Sequence, residues 1–162
     1  MGENTIRLDT IDLQILKLLQ EDGKRTAKQL AEEIGLTQTP VYERVKKLEK
    51  SGVIDRYVAI LDPSAIQKDM VIFLSISLND HAKEPRSKLL DALKQLPQLS
   101  EIYHTSGAHD FLAKVRVKDI QAYRDFLVKS IGTLDNIKDI TSHIVLDELK
   151  SDTAVYIDDT KI

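Results

Sequence analysis

The sequence predicts an α+β chain in two parts, an N-terminal winged helix-turn-helix domain followed by a ferredoxin-like βαββαβ domain. Three observations carry this. Apolar residues recur at helical spacing over residues 8–50, with Gly35 between two short helices. From residue 70 onward, stretches of alternation take turns with helical stretches in the order βαββαβ. A breaker, Asp62-Pro63-Ser64, separates the two regimes. The expected divisions are a helix-turn-helix domain with its following strand at 1–61, a linker at 62–69, the βαββαβ domain at 70–150 and a C-terminal tail at 151–162.

Residues 8–21 form the first expected helix, because Leu8, Ile11, Ile15 and Leu18 recur at spacings of three and four. Asp9 and Asp12 lie in its first turn, where the helix dipole favours negative charge. Asp22-Gly23 ends it. Thr26 opens the second helix, and Gln29, three residues later, completes a capping box. Ala27, Leu30, Ala31 and Ile34 form its packing stripe. Gly35 falls where a left-handed cap or tight turn is wanted.

The third helix starts within residues 37–40, with Thr37 or Thr39 as N-cap and Pro40 in the first turn. At ~100° per residue, Val41, Val45 and Leu48 fall within ~60° of one another and form the packed face. Thr39, Glu43, Lys46, Lys47 and Lys50 lie opposite, flanked by Tyr42. Arg44 lies near the edge of the packed face, where a structural pair with a Glu and an outward contact are equally open. Ser51-Gly52 ends the helix. Residues 53–61 are rich in β-formers and read as a strand or a short hairpin.

In the second part, residues 70–79 read as a strand, 85–96 as an amphipathic helix carrying Leu89, Leu90, Leu93 and Leu96, and 99–105 as a strand. A tight turn at 106–109 leads into a strand at 110–117. A helix at 119–131 gathers Ile120, Tyr123, Phe126, Leu127 and Ile131 on one side. Residues 137–149 read as a long strand, and 153–157 as a candidate edge strand. The expected sheet is four-stranded and antiparallel with helices on one face. A second copy of the chain is the cheapest cover for the other face.

Composition narrows the class. The chain has 162 residues, enough for one medium domain or two small ones. No apolar run approaches the ~18 residues of a membrane span, and the N-terminus lacks the apolar core of a signal peptide. The absence of Cys removes disulfides, thiolate metal sites and cysteine nucleophiles. A cytoplasmic protein without membrane association is expected. No Gly-rich phosphate loop, nucleophile elbow or His-Glu-x-x-His motif occurs, so neither an enzyme nor a cofactor is expected. His104 and His109 beside Asp110 hint at a metal, but alternation sends strand neighbours to opposite faces, and no metal site is expected. The net charge is −3, yet residues 37–50 gather Arg44, Lys46, Lys47 and Lys50 against Glu43 and Glu49. Acidic residues collect instead near the C-terminus, at Asp147, Glu148, Asp152, Asp158 and Asp159. For a DNA-reading module it is the local basic face that matters.

Three stretches carry a resemblance that covers nearly the whole chain. Residues 36–49 (LTQTPVYERVKKLE) resemble the recognition helix of the leucine-responsive regulatory protein/AsnC family of transcription regulators. Residues 106–112 (SGAHDFL) resemble that family's Gly-x-x-Asp-aromatic turn, and 119–124 (DIQAYR) are a third match. His109 departs from the pattern, standing in the turn where an acidic or other residue is common. The resemblance implies a DNA-binding helix-turn-helix joined to a ligand-sensing domain that dimerises through its sheet and often assembles into octamers. It places effector response at positions corresponding to Tyr103, Asp110, Ile120, His143, Ile144 and Val145.

The residues suit those roles. Gln38, Thr39, Tyr42 and Glu43 lie near the N-terminal end of the third helix, where recognition helices meet base edges in the major groove. Lys46, Lys47 and Lys50 suit phosphate, and Thr26, Lys28 and Thr37 lie at helix N-termini that can face the backbone. A free amino acid needs a carboxylate for its ammonium, which Asp110 offers, and N–H donors for its carboxylate, which the turn at Gly107, Ala108 and His109 offers. The expected function is a sequence-specific DNA-binding transcription regulator, modulated by an amino acid or related metabolite at an oligomer interface. The expected partners are double-stranded DNA, further copies of the chain and that effector. The alternatives are an architectural protein that bridges DNA without ligand, and a small-molecule binder whose helix-turn-helix no longer binds DNA.

Overall fold

The computed structural model describes residues 7–158. The chain divides into two compact units. One comprises residues up to Ile60 together with those from Lys150 onward, and the other comprises Leu61–Leu149.

The first unit is built on three helices, α1 (Thr10–Glu21), α2 (Ala27–Ile34) and α3 (Gln38–Lys50). Asp9 caps α1 in a capping box: its carboxylate accepts the Asp12 N–H at 2.9 Å and the Asp12 carboxylate accepts the Asp9 N–H at 3.2 Å. Thr26 and Gln29 close the expected box on α2, with the Thr26 N–H donating to Gln29 Oε1 at 2.8 Å. Gly35 takes the left-handed conformation (φ +78°) that turns the chain from α2 toward α3. Ile15, Leu30, Ala31, Val41 and Leu48 form the buried core, with Leu8, Ile11, Leu18, Ile34, Val45 and Ile54 packed around it.

The second unit is a four-stranded antiparallel sheet of β1 (Met70–Leu78), β2 (Leu99–His104), β3 (Phe111–Val117) and β4 (Ile137–Ile144), in spatial order β2-β3-β1-β4. The helices α4 (Lys83–Lys94) and α5 (Ile120–Lys129) cover one face. That face buries Ile72, Leu74, Ile76 and Leu78 of β1 and Phe111, Ala113, Val115 and Val117 of β3 against Leu89, Leu93, Tyr123 and Phe126. Period-two alternation puts Phe73, Ser75, Ser77, Leu112, Lys114, Arg116, Tyr103 and His143 on the other face.

Several boundaries differ from the sequence reading. Residues 53–61 form no strand, because no second strand lies alongside them among the described residues and an isolated strand has no ladder to join. Val58, Ile60 and Leu61 are exposed there. β4 stops at Ile144 rather than at 149. The Val145 N–H makes a last bond to Val71 O, close to where β1 begins, and beyond it β4 has no strand to pair with. Residues 153–157 form no edge strand either. α4 starts two residues early, at Lys83, and α5 ends at Lys129, with Ile131 in a separate 3-10 turn. No helix among the described residues is long and apolar enough to cross a membrane.

Candidate functional site

On α3 the packed and outward faces separate as the rotation calculation requires. Val41 and Leu48 are buried. Thr37, Gln38, Thr39, Tyr42, Glu43, Lys46, Lys47 and Lys50 are all exposed, as are Thr26 and Lys28 at the start of α2. Thr37 is the N-cap of α3 but makes no side-chain capping bond. Thr26 is more committed, since its hydroxyl donates to Gln29 Oε1 at 2.8 Å within the capping box. Lys28 pairs loosely with Glu32 at 4.0 Å.

The lysines are not equivalent. Lys46 bonds Glu49 at 2.9 Å and lies over the Tyr42 ring, 5.7 Å from its centre. The Glu49 bond holds the Lys46 ammonium above its usual pKa, and the same bond holds the Glu49 carboxyl below its own. The Tyr57 hydroxyl donates to Glu49 at 3.2 Å from the segment beyond the helix. Among the described residues, Lys47 and Lys50 make no ion pair.

Arg44 is tied to α1. Its Nη1 donates to Asp9 Oδ2 and to Asp12 Oδ1, each at 2.7 Å. Asp12 is 2% exposed, so the pair is partly desolvated. The carboxylates hold the Arg44 guanidinium above its usual pKa, Asp12 first and then Asp9. The Asp12 N–H, and after it Arg44, holds the Asp9 carboxyl below its usual range. The sequence placed Arg44 at the edge of the packed face with a Glu as its expected structural partner, and the partners are instead two aspartates of α1. The signal was the two aspartates in the first turn of α1, read there only as helix-dipole partners.

In the second unit the turn after β2 is tightly bonded. The Thr105 N–H donates to Asp110 O at 2.9 Å, the Thr105 hydroxyl to His109 O at 2.9 Å, and the Asp110 N–H to Ile76 O at 2.9 Å. Gly107 has φ +134°, which a side chain rarely adopts. Asp110 already has partners, the Leu78 N–H at 2.9 Å on Oδ2 and His81 Nδ1 at 3.0 Å on Oδ1. Ser77 Oγ lies 3.0 Å from His109 Nδ1.

The sheet does not bring the nine expected effector residues together within one chain. Gly107, Ala108, His109 and Asp110 sit at one end, and Tyr103, which pairs with Leu112, stands beside them. His143, Ile144 and Val145 pair with Phe73, Ile72 and Val71 at the other end of β1. Ile120 opens α5 just beyond Val117, which pairs with Met70 at that same end. At ~3.3 Å per residue the turn lies about 15 Å along the strands from 143–145, while Tyr103, level with Ser75 through Leu112, is two strands farther across the sheet from β4 than Phe73, the partner of His143.

A helix-turn-helix with an exposed, partly basic third helix, joined to a split βαβ sheet domain, defines a DNA-binding regulator with a sensing domain. Comparison with known proteins carries this to a family. Residues 8–55 match the winged helix-turn-helix DNA-binding family and residues 71–155 match the Lrp/AsnC ligand binding domain. The leucine-responsive regulatory proteins of Klebsiella pneumoniae and Escherichia coli K12 are each 35% identical over 150 residues, covering 93% of this chain and 92% of theirs. Among solved structures, an AsnC family transcriptional regulator from Agrobacterium tumefaciens has a TM-score of 0.89 at 34% identity, covering 92% of this chain and 97% of that one. A Neisseria meningitidis transcriptional regulator in complex with L-Met has a TM-score of 0.89 at 28% identity, covering 93% and 97%. The chain belongs to the Lrp/AsnC family of DNA-binding transcription regulators. The ligand-binding domain match counts against a ligand-independent bridging protein.

Proposed function

We propose that α3 reads operator DNA in the major groove, that two or more copies present it together, and that an amino acid held between copies shifts operator binding. The carrying observation is the sorting of α3 into a locked inner face and an open outer one. Arg44 and the buried Val41 and Leu48 fix the helix, which leaves the exposed Gln38, Thr39, Tyr42 and Glu43 to meet base edges. Lys47 and Lys50 take phosphates, with Thr26, Lys28 and Thr37 at the flanking backbone. Lys46, already bonded to Glu49, contributes less.

The reader spans residues 1–61 and the sensing domain 70–150, working in the cytoplasm. For the effector, the separation of the two residue groups supports a site between copies. The turn at 107–110 with Tyr103 comes from one chain, and Ile120 with 143–145 from another. Dimers, and octamers built from them, supply such junctions. The L-Met held by the Neisseria relative supports an amino acid as ligand.

Two measurements test this. Lys47→Ala with Lys50→Ala should flatten the plot of log Kd against log salt by about 0.9 per lost phosphate contact in each bound copy, and weaken unrelated sequences equally. An unchanged slope removes these lysines from the phosphate. Titration calorimetry with L-methionine and L-leucine should give heat that Asp110→Ala abolishes. Absence of heat from a full panel of amino acids refutes the effector reading.

A further inference from the structure

The residues after β4 do not simply trail away. The side-chain amide of Gln20, near the C-terminal end of α1, makes two reciprocal bonds to the backbone of one residue of the returning chain. Its Oε1 accepts the Val155 N–H at 2.6 Å and its Nε2 donates to Val155 O at 3.1 Å. A carboxamide gripping the N–H and C=O of a single residue reads backbone rather than side chain. Val155 and Tyr156 accordingly leave their side chains exposed. The Asp152 carboxylate accepts the Ala154 N–H at 2.9 Å and shapes the approach. Ile157 and Asp158, just beyond the clamp, are half-buried.

The other end of this segment is held too. Glu148 bonds Arg116 through both carboxylate oxygens at 3.0 Å and lies 3.9 Å from Lys114, both on the uncovered face of the sheet. Residues 149–154 join the two grips in sequence. The α1 helix then continues the route, since its other end carries Asp9 and Asp12, which hold Arg44 of α3.

We propose that residues 145–158 are a coupling strap, pinned to the sheet by Glu148 and to the DNA-reading unit by Gln20, through which a change at β4 reaches the recognition helix. Its two states are docked and undocked at Gln20, and a ligand shifts them only through differential affinity. The proposal rests on the effector reading above. Gln20 acts as a positioning residue that touches neither DNA nor ligand.

The test uses the full chain and its Gln20→Ala and Gln20→Glu forms. Amide exchange should show the Val155 N–H protected in the wild type, unprotected in Gln20→Ala, and partly protected in Gln20→Glu, which keeps the acceptor. Where L-methionine or L-leucine gives calorimetric heat, it should change wild-type operator Kd by about fivefold or more. In Gln20→Ala that change should fall below about twofold while the amino-acid Kd stays the same. A ligand response retained in Gln20→Ala, or heat with no wild-type response, overturns the strap. Failure of the effector reading shows separately, as absence of heat in the wild type. The strap is then judged on Glu148→Ala, which frees its sheet end. A shift in operator Kd of about threefold that vanishes in the Gln20→Ala background supports it. The same shift in both backgrounds, or none in either, overturns it.

Discussion

Arg44 lies within the recognition helix, yet its geometry makes it a brace. Replacing it with Met keeps the aliphatic stem and removes the guanidinium. The bond to Asp9 contributes little, about 0.5 kcal/mol, because that carboxylate is half exposed to water. The bond to Asp12 matters more. With Arg44 gone, a carboxylate 2% exposed keeps, among the described residues, the Asp9 N–H alone, and stranding it costs about 2–3 kcal/mol. The helical unit should therefore lose about 3 kcal/mol, more than ~100-fold in its unfolding equilibrium. Amide exchange at Ile15 and Val41 across a urea series reads that loss. Operator binding, measured where the variant is still folded, should keep the wild-type salt slope, because no phosphate contact has been removed. Asp12→Asn combined with Arg44→Met should cost less than the sum of the two by about 1–2 kcal/mol. Unaltered exchange together with a slope reduced by about one per copy would make Arg44 a phosphate contact and refute the brace.

Other perturbations follow from single features. Gly35→Ala meets no steric obstacle, since nothing lies within 4 Å of the added carbon. Its cost is the left-handed backbone alone, about 1 kcal/mol by thermal melting, and a drop below ~0.3 would mean that the turn relaxes. Asp110→Ala strips the partners from the Leu78 N–H and His81. It should accelerate exchange at Leu78 and destabilise the sheet unit by about 1–2 kcal/mol, whether or not ligand binds. The Asp9 carboxyl, held below its usual pKa by the Asp12 N–H and then by Arg44, adds stability that is fully present above its unfolded pKa. That stability is lost as pH falls through the folded value, so the α1 cap should loosen only below about pH 4. In Asp9→Asn this component of the acid transition should disappear, and an unchanged transition would assign it to other carboxylates.

Much of the fold was legible because period and punctuation agreed locally. The box at Thr26 and Gln29, the turn at Gly35 and the packed pair Val41 and Leu48 need only neighbours within a turn or two. The misreadings share a cause. Residues 53–61 have strand composition, but a strand exists only where another lies beside it, and residue preference cannot supply the neighbour. β4 was read five residues too long for the same reason, since its length is set by where β1 begins. The tail at 153–157 has β-formers too, yet its backbone bonds go to a helix side chain, Gln20, which no periodicity announces.

The candidate sites divide along the same line. The outward face of α3 follows from rotation alone, so every residue expected there is exposed. What rotation could not rank is which lysines are already engaged, because Glu49 is claimed by both Lys46 and Tyr57, the latter from outside the helix. The effector residues are a different case. Each is a plausible contact by itself, but β1 carries the turn at one end and the partners of 143–145 at the other. A turn about 15 Å along the strands from 143–145 cannot close with them on one free amino acid, whose own span is about 5–7 Å. If both groups respond to one ligand, they must do so from different copies, and sensitivity to ligand then depends on assembly. A dilution series in which the effector response weakens as the oligomer dissociates would carry that dependence. A fully responsive isolated monomer would break it.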